Sequence, residues 1–184
     1  MARCLWAEYF GTVFLDEKRW AYTFQSYVLL TRVDQLLQDD SQGGMHYVRI
    51  VERSIYSGKY CFAQVAKDIG TMNDLEWSLY KKFWDRECVR VIERPVGFVY
   101  LRTPYEICYN RIMGRGRFEE SQITLDYLQA LEQKHENWFM HKKGVDDYVL
   151  SQPQLILDFS QDVLNDKVLQ QKYLELIKDF IAKI

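Results

Sequence analysis

Tyr47-Val-Arg-Ile-Val-Glu-Arg-Ser54 is the stretch on which the fold turns. Its apolar run, 47–51, reads as a buried strand that breaks off in a carboxylate, a guanidinium and a hydroxyl. In an open parallel sheet, ligands sit beyond the carboxyl ends of strands, so three polar groups there point to a site. The competing reading is a strand that runs into a salt-bridged turn. A second cationic cluster, Arg111, Arg115 and Arg117 followed by Glu119 and Glu120, favours the site, and together they point to phosphate chemistry.

Upstream, Trp20, Phe24, Tyr27, Val28, Thr31 and Leu36 recur at helical spacing over 17–38. Gln25, Val28 and Arg32 lie at i, i+3 and i+7 and share one face. An amide and a guanidinium among aromatic neighbours could read the edge of a heterocycle. The alternative is a helix whose polar residues face water. Residues 39–46 form a polar loop with Gly43-Gly44, and residues 1–15 have no clean period and stay unassigned.

Downstream, 55–69 reads as a helix packed through Tyr56, Tyr60, Phe62 and Val65, with Gly70 as its stop. Asn73 or Asp74 caps a second helix whose Leu75, Trp77, Leu79, Tyr80, Phe83 and Trp84 make an aromatic surface, read as core or subunit interface. A second buried strand follows over 96–101, then Arg102-Thr103-Pro104 opens a helix with proline in its first turn. A helix over 123–141, a third strand over 155–159 and a closing helix from about 165 complete the chain. Strands alternating with helices predict an α/β fold with a parallel sheet. Three strands are fewer than such a sheet usually carries.

Composition narrows the function. Lys plus Arg number 24 against 26 Asp plus Glu, a formal charge of −2, so no general attraction to nucleic acid or anionic membrane follows. Any anion site must come from local clustering. The four cysteines, Cys4, Cys61, Cys88 and Cys108, include no Cys-x-x-Cys pair, which predicts buried thiols rather than a zinc site or a disulfide framework. No apolar run approaches the roughly 20 residues of a spanning helix, and the opening residues lack a signal-peptide pattern, so the expectation is a soluble, cytoplasmic protein.

Arg111, Arg115 and Arg117 stand at i, i+4 and i+6 near a helix end, with Gly116 between the last two. Guanidinium groups fork onto phosphate oxygens, and glycine lets such a segment close over a substrate. The same pattern also serves a helix end that neutralises its own dipole and pairs with Glu119 and Glu120.

At these residues the chain resembles the deoxynucleoside kinase family. Trp20-Ala-Tyr-Thr-Phe-Gln-Ser-Tyr27 is similar to the family's base-binding helix, and Glu52-Arg53-Ser54 to its Asp/Glu-Arg-Ser motif. Arg111-Ile-Met-Gly-Arg-Gly-Arg-Phe-Glu-Glu120 resembles its arginine-rich lid, and His135-Glu136-x-Trp138 and Leu157-Asp158 follow in order. The likeness runs from about Trp20 to the C-terminus, nearest to deoxycytidine and deoxyguanosine kinases.

The resemblance implies a P-loop-kinase-like parallel sheet flanked by helices, with the first two strands of the family fold absent, in a kinase-like domain over 16–184. It implies ATP or another nucleoside triphosphate, Mg²⁺, a deoxynucleoside substrate and a homodimer, with no nucleic acid polymer and no membrane as partners. Mitochondrial targeting stays open. Gln25 would pair with the base, with Arg32 and Val28 beside it; Glu52 would hold the metal or a bound water, and Arg53 would reach the 5′-hydroxyl region. Glu120 would accept from the sugar 3′-hydroxyl. Arg111, Arg115 and Arg117 would grip phosphates, and Asp158 and Phe159 lead into the adenine-contacting loop.

Four departures stand out. Gly58 replaces an aspartate that restrains the base-side arginine in deoxycytidine-type enzymes, and Phe14 falls near a tyrosine that helps hold the 3′-oxygen. No Gly-x-x-x-x-Gly-Lys-[Ser/Thr] phosphate loop occurs in these 184 residues, and the family's general-base glutamate has no counterpart. The expectation is a chain equivalent to the C-terminal two thirds of such a kinase, with residues 1–15 in place of its start. The family strand before that loop lies between the counterparts of 47–51 and 96–101, so its loss would leave both without a partner on one edge.

Overall fold

The computed structural model describes residues 16–39, 48–52, 54–91 and 94–184. Among these residues the fold is mostly helical around one small parallel sheet. Helix α1 spans Glu17–Asp39, one residue from each expected bound or closer. A helical run over 55–68 follows, made of α2 (Ile55–Ser57), a π-helical turn (Gly58–Ala63) and α3 (Gln64–Asp68). Then come α4 (Asp74–Val91), β1 (Phe98–Arg102), α5 (Tyr105–Arg115), α6 (Leu125–Phe139), α7 (Asp147–Ser151), β2 (Gln154–Asp158) and α8 (Lys167–Ile181).

Side-chain caps set the starts of several of these helices. Ser54 accepts from the Ser57 N–H, Thr124 from Tyr127, and Asp166 from Val168 and Leu169. Asn73 and Glu76 form a reciprocal box, each side chain accepting the other's backbone N–H at 2.9 Å. Pro104 stands just before α5 rather than inside its first turn, with ψ 142°.

The sheet corrects two expectations. Strands β1 and β2 pair in parallel, Phe98 opposite Gln154 through Arg102 opposite Asp158. Residues 48–51 lie outside any strand, and Val48, Ile50 and Val51 are 54%, 71% and 46% exposed. A strand exists only where a neighbour meets its N–H and C=O groups, and among the described residues none runs beside this segment. It is tied to α1 instead, where Arg49 Nη1 donates to the Leu36 carbonyl at 2.9 Å. Strand β1 is buried on one face only: Phe98 and Tyr100 point inward while Val99 and Leu101 are exposed. The continuous helix expected over 55–69 is likewise interrupted by the π turn.

Aromatic rings form the core between these elements. Phe98 meets Trp138 edge-on at 5.0 Å, Tyr60 meets Trp138 at 6.0 Å, and Tyr56 meets Trp84 at 5.6 Å. The aromatic surface of α4 divides accordingly: Tyr80 and Trp84 are buried, whereas Leu75 and Leu79 face out. Gly97 lets α8 close over the sheet, since a Cβ there would lie 2.9 Å from the Phe180 ring. Among the described residues no helix is long and apolar enough to cross a membrane.

Candidate active site

The hydrogen bonds gather the expected site residues into two groups. The first is built on α1. Gln25 is its buried polar residue at 7% exposure, and Val28, one turn on, is 8% exposed, so the shared face predicted for them turns inward. Arg32 continues that face at its half-buried end and donates through Nη1 to the Glu52 carbonyl at 3.1 Å. That bond joins the helix bearing Gln25 to the acidic-basic-hydroxyl tip. The Glu52 side chain is exposed. Ser54 serves as the α2 cap, with its own carbonyl accepting from the Ser57 hydroxyl at 2.9 Å. Gly58 opens the π turn with ordinary helical angles, and a Cβ there would meet nothing within 4 Å. Arg53 and Phe14 lie outside the described residues.

The second group is built on the C-terminal end of α5. Gly116 ends that helix in the left-handed region at φ 61°, a conformation that suits glycine, and Arg117 leads into a single 3₁₀ turn, Phe118–Glu120. The turn folds Glu120 back between the two arginines. Arg115 Nη2 lies 3.0 Å from Oε2 and Arg117 Nη1 lies 3.4 Å from Oε1. The Glu120 side chain is only 14% exposed, whereas those of Arg115 and Arg117 are 51% and 58% exposed. Arg111, one turn earlier, donates to the Gln161 carbonyl at 2.9 Å and so ties α5 to the loop after β2.

That loop starts at Asp158, whose Oδ1 accepts from the Ser160 N–H at 2.9 Å. These Ser160 hydrogen bonds hold the Asp158 carboxyl below the usual carboxylate range. The Phe159 N–H donates to the Arg102 carbonyl at 2.7 Å, and its ring stacks on Tyr173 of α8 at 5.6 Å. The two groups therefore ride on elements that share α6, which packs against both α5 and the 55–68 run.

A third polar cluster went unseen in the sequence. Arg102, the last residue of β1, forks onto Glu136 of α6 through Nε and Nη2 at 3.0 and 2.8 Å, and the Tyr100 hydroxyl donates to the same carboxylate at 3.0 Å. Burial, then the Glu136 charge, pushes the Tyr100 phenol well above its ordinary value, so it stays a donor. The one available sign was a glutamate within His135-Glu136-x-Trp138, with its partners 34 and 36 positions away. Tyr60 similarly donates to Asp146 at 2.5 Å across 86 positions. The expectation of buried thiols holds at Cys61, which is fully buried and whose thiol burial pushes up to about 12, so it is inert, whereas Cys108 is only half-buried.

Which cofactors suit these residues follows from their donors. Three guanidinium groups fit a polyphosphate. Among the described residues no group of three His, Cys, Asp or Glu side chains gathers as a protein-built metal cage. A lone exposed carboxylate such as Glu52 suits Mg²⁺, which keeps most of its waters and takes phosphate oxygens as further ligands.

Comparison with known proteins identifies the family. A family model described as deoxynucleoside kinase matches residues 3–182. The chain is 37% identical over 172 residues to deoxycytidine kinase 2 of Gallus gallus, covering 89% of this chain and 64% of that protein. It is 38% identical to deoxycytidine kinase of Bos taurus and 31% identical to the mitochondrial deoxyguanosine kinase of Xenopus laevis, each over 175 residues, 91% of this chain and 66% of the relative. The chain thus spans just under two thirds of the length of these relatives.

Proposed function

Because the chain belongs to the deoxynucleoside kinase family, we propose that it carries the nucleoside-binding and phosphate-gripping parts of a kinase that moves the γ-phosphoryl of a nucleoside triphosphate to the 5′-hydroxyl of a deoxynucleoside. The observation that carries this reading is the arginine pair folded around Glu120, with Arg111 tied to the loop after β2. Phosphoryl transfer depends on positioning and on neutralising charge, and these groups supply both. Gln25 and Val28 would face the base, Arg32 would hold its edge near Glu52, and Glu120 would accept from the sugar 3′-hydroxyl. Arg111, Arg115 and Arg117 would hold phosphates beside Asp158 and Phe159. Glu52 would bind Mg²⁺ and Arg53 would reach the 5′ end. In this reading residues 16–184 form one incomplete kinase domain whose parallel sheet would continue past β1, and two copies would form a homodimer.

No glycine-rich phosphate loop with its lysine lies within these 184 residues. That observation favours a second reading, in which this chain alone binds nucleoside or dimerises with a longer kinase without turning over. Incubating the purified chain with ATP, Mg²⁺ and each deoxynucleoside separates the two. The expected result is binding with little turnover; robust turnover would remove the impairment, and failure to bind any deoxynucleoside would remove the first reading and leave only the dimerising form of the second.

A further inference from the structure

Glu120 occupies the arginines that the proposed function assigns to phosphate, and this inference rests on that assignment. Each oxygen of its carboxylate faces a different guanidinium, at 3.0 and 3.4 Å, and the side chain is largely shielded from water. The arginines keep about half their surface open. The turn bearing Glu120 is weakly anchored: its backbone bonds are local, from Glu120 to Arg117 and from Ser121 to Phe118, and Phe118 is 89% exposed. Gly116 precedes it in a left-handed conformation with open space around its Cβ position.

We propose that Glu120 is a resident anion that an incoming polyphosphate displaces from Arg115 and Arg117, freeing the carboxylate for the nucleoside's sugar hydroxyl. A polyphosphate brings more charge and more acceptor oxygens than one carboxylate, so it wins the forked donors. Before the exchange the carboxylate is committed to two cations and shielded. After it, a hydroxyl donor is the partner that remains. Donor and acceptor binding are then coupled in the same direction, and the coupling is reciprocal.

Isothermal titration of inorganic tripolyphosphate into the full 184-residue chain tests this without relying on catalysis. Glu120→Gln removes the competing charge and should bind about threefold to tenfold tighter than wild type, the range expected for two partly exposed ion pairs. Asp126→Asn removes an exposed carboxylate in the first turn of α6 and controls for net charge; it should stay within about twofold of wild type. A Glu120→Gln gain that is absent, or matched by Asp126→Asn, overturns the exchange. The assignment of the arginines still stands if Arg115→Ala with Arg117→Ala weakens binding. If that double variant binds as tightly as wild type, the phosphate assignment falls and the exchange with it. Wild-type affinity for a deoxynucleoside should rise when tripolyphosphate is present, and indifference would overturn the coupling.

Discussion

Glu132 sits on α6 near two other carboxylates and is pushed above the ordinary range, first by burial and then by Glu136 and Glu106. A raised carboxyl binds its proton more tightly folded than unfolded. Its ionisation therefore removes stability as pH rises from the unfolded value near 4.3 through the folded one. Glu132→Gln should raise Tm by about 1–2 °C at pH 7, and the gain should vanish below about pH 4. Paired melting curves at the two pH values check this; an equal gain at both would assign the effect to packing. Gly58 makes a second residue-scale test. Its helical angles and open Cβ position accept a β-carbon without strain, so Gly58→Asp should fold with Tm within about 2 °C of wild type. In the proposed pocket it should restrain Arg32 and shift competition binding toward deoxycytidine over purine deoxynucleosides. Unchanged preference would separate Gly58 from the base pocket.

The helices were largely legible because their signals are local. A run of aromatic and apolar residues at helical spacing gave α1, and Asn73 or Asp74 marked the start of α4, where the structure adds the reciprocal box of Asn73 with Glu76. Asn73→Ala should lose about 1 kcal/mol, or about 2–4 °C in Tm, while helical circular dichroism at low temperature stays near wild type. No change would mean that α4 is held by Tyr80 and Trp84 alone. Residues 48–51 were misread for a physical reason: Val-Arg-Ile-Val has strand composition, but a strand is a property of a pair. The π turn was equally hidden, because nothing in Gly58–Ala63 distinguishes it from an ordinary helical turn.

At the scale of the molecule, the aromatic cluster is the frame on which the elements carrying the two groups of candidate site residues are packed. Trp138 is 1% exposed and meets Tyr60, Phe98 and Phe139. Trp138→Ala should therefore cost about 3–5 kcal/mol. Chemical denaturation should show this as a lower midpoint, and a loss below about 1 kcal/mol would mean that the cluster repacks. The sequence by itself determined most of the helical segments, though not α7, and the strand composition of β1 and β2, because spacing and residue chemistry are local properties. Only the tertiary structure decided that Arg102 forks onto Glu136, that Arg32 reaches Glu52, that Glu120 closes on Arg115 and Arg117, and that 48–51 stays outside the sheet. Each of those outcomes depends on which polar group, and which open edge, finds a partner once the chain has closed around its core.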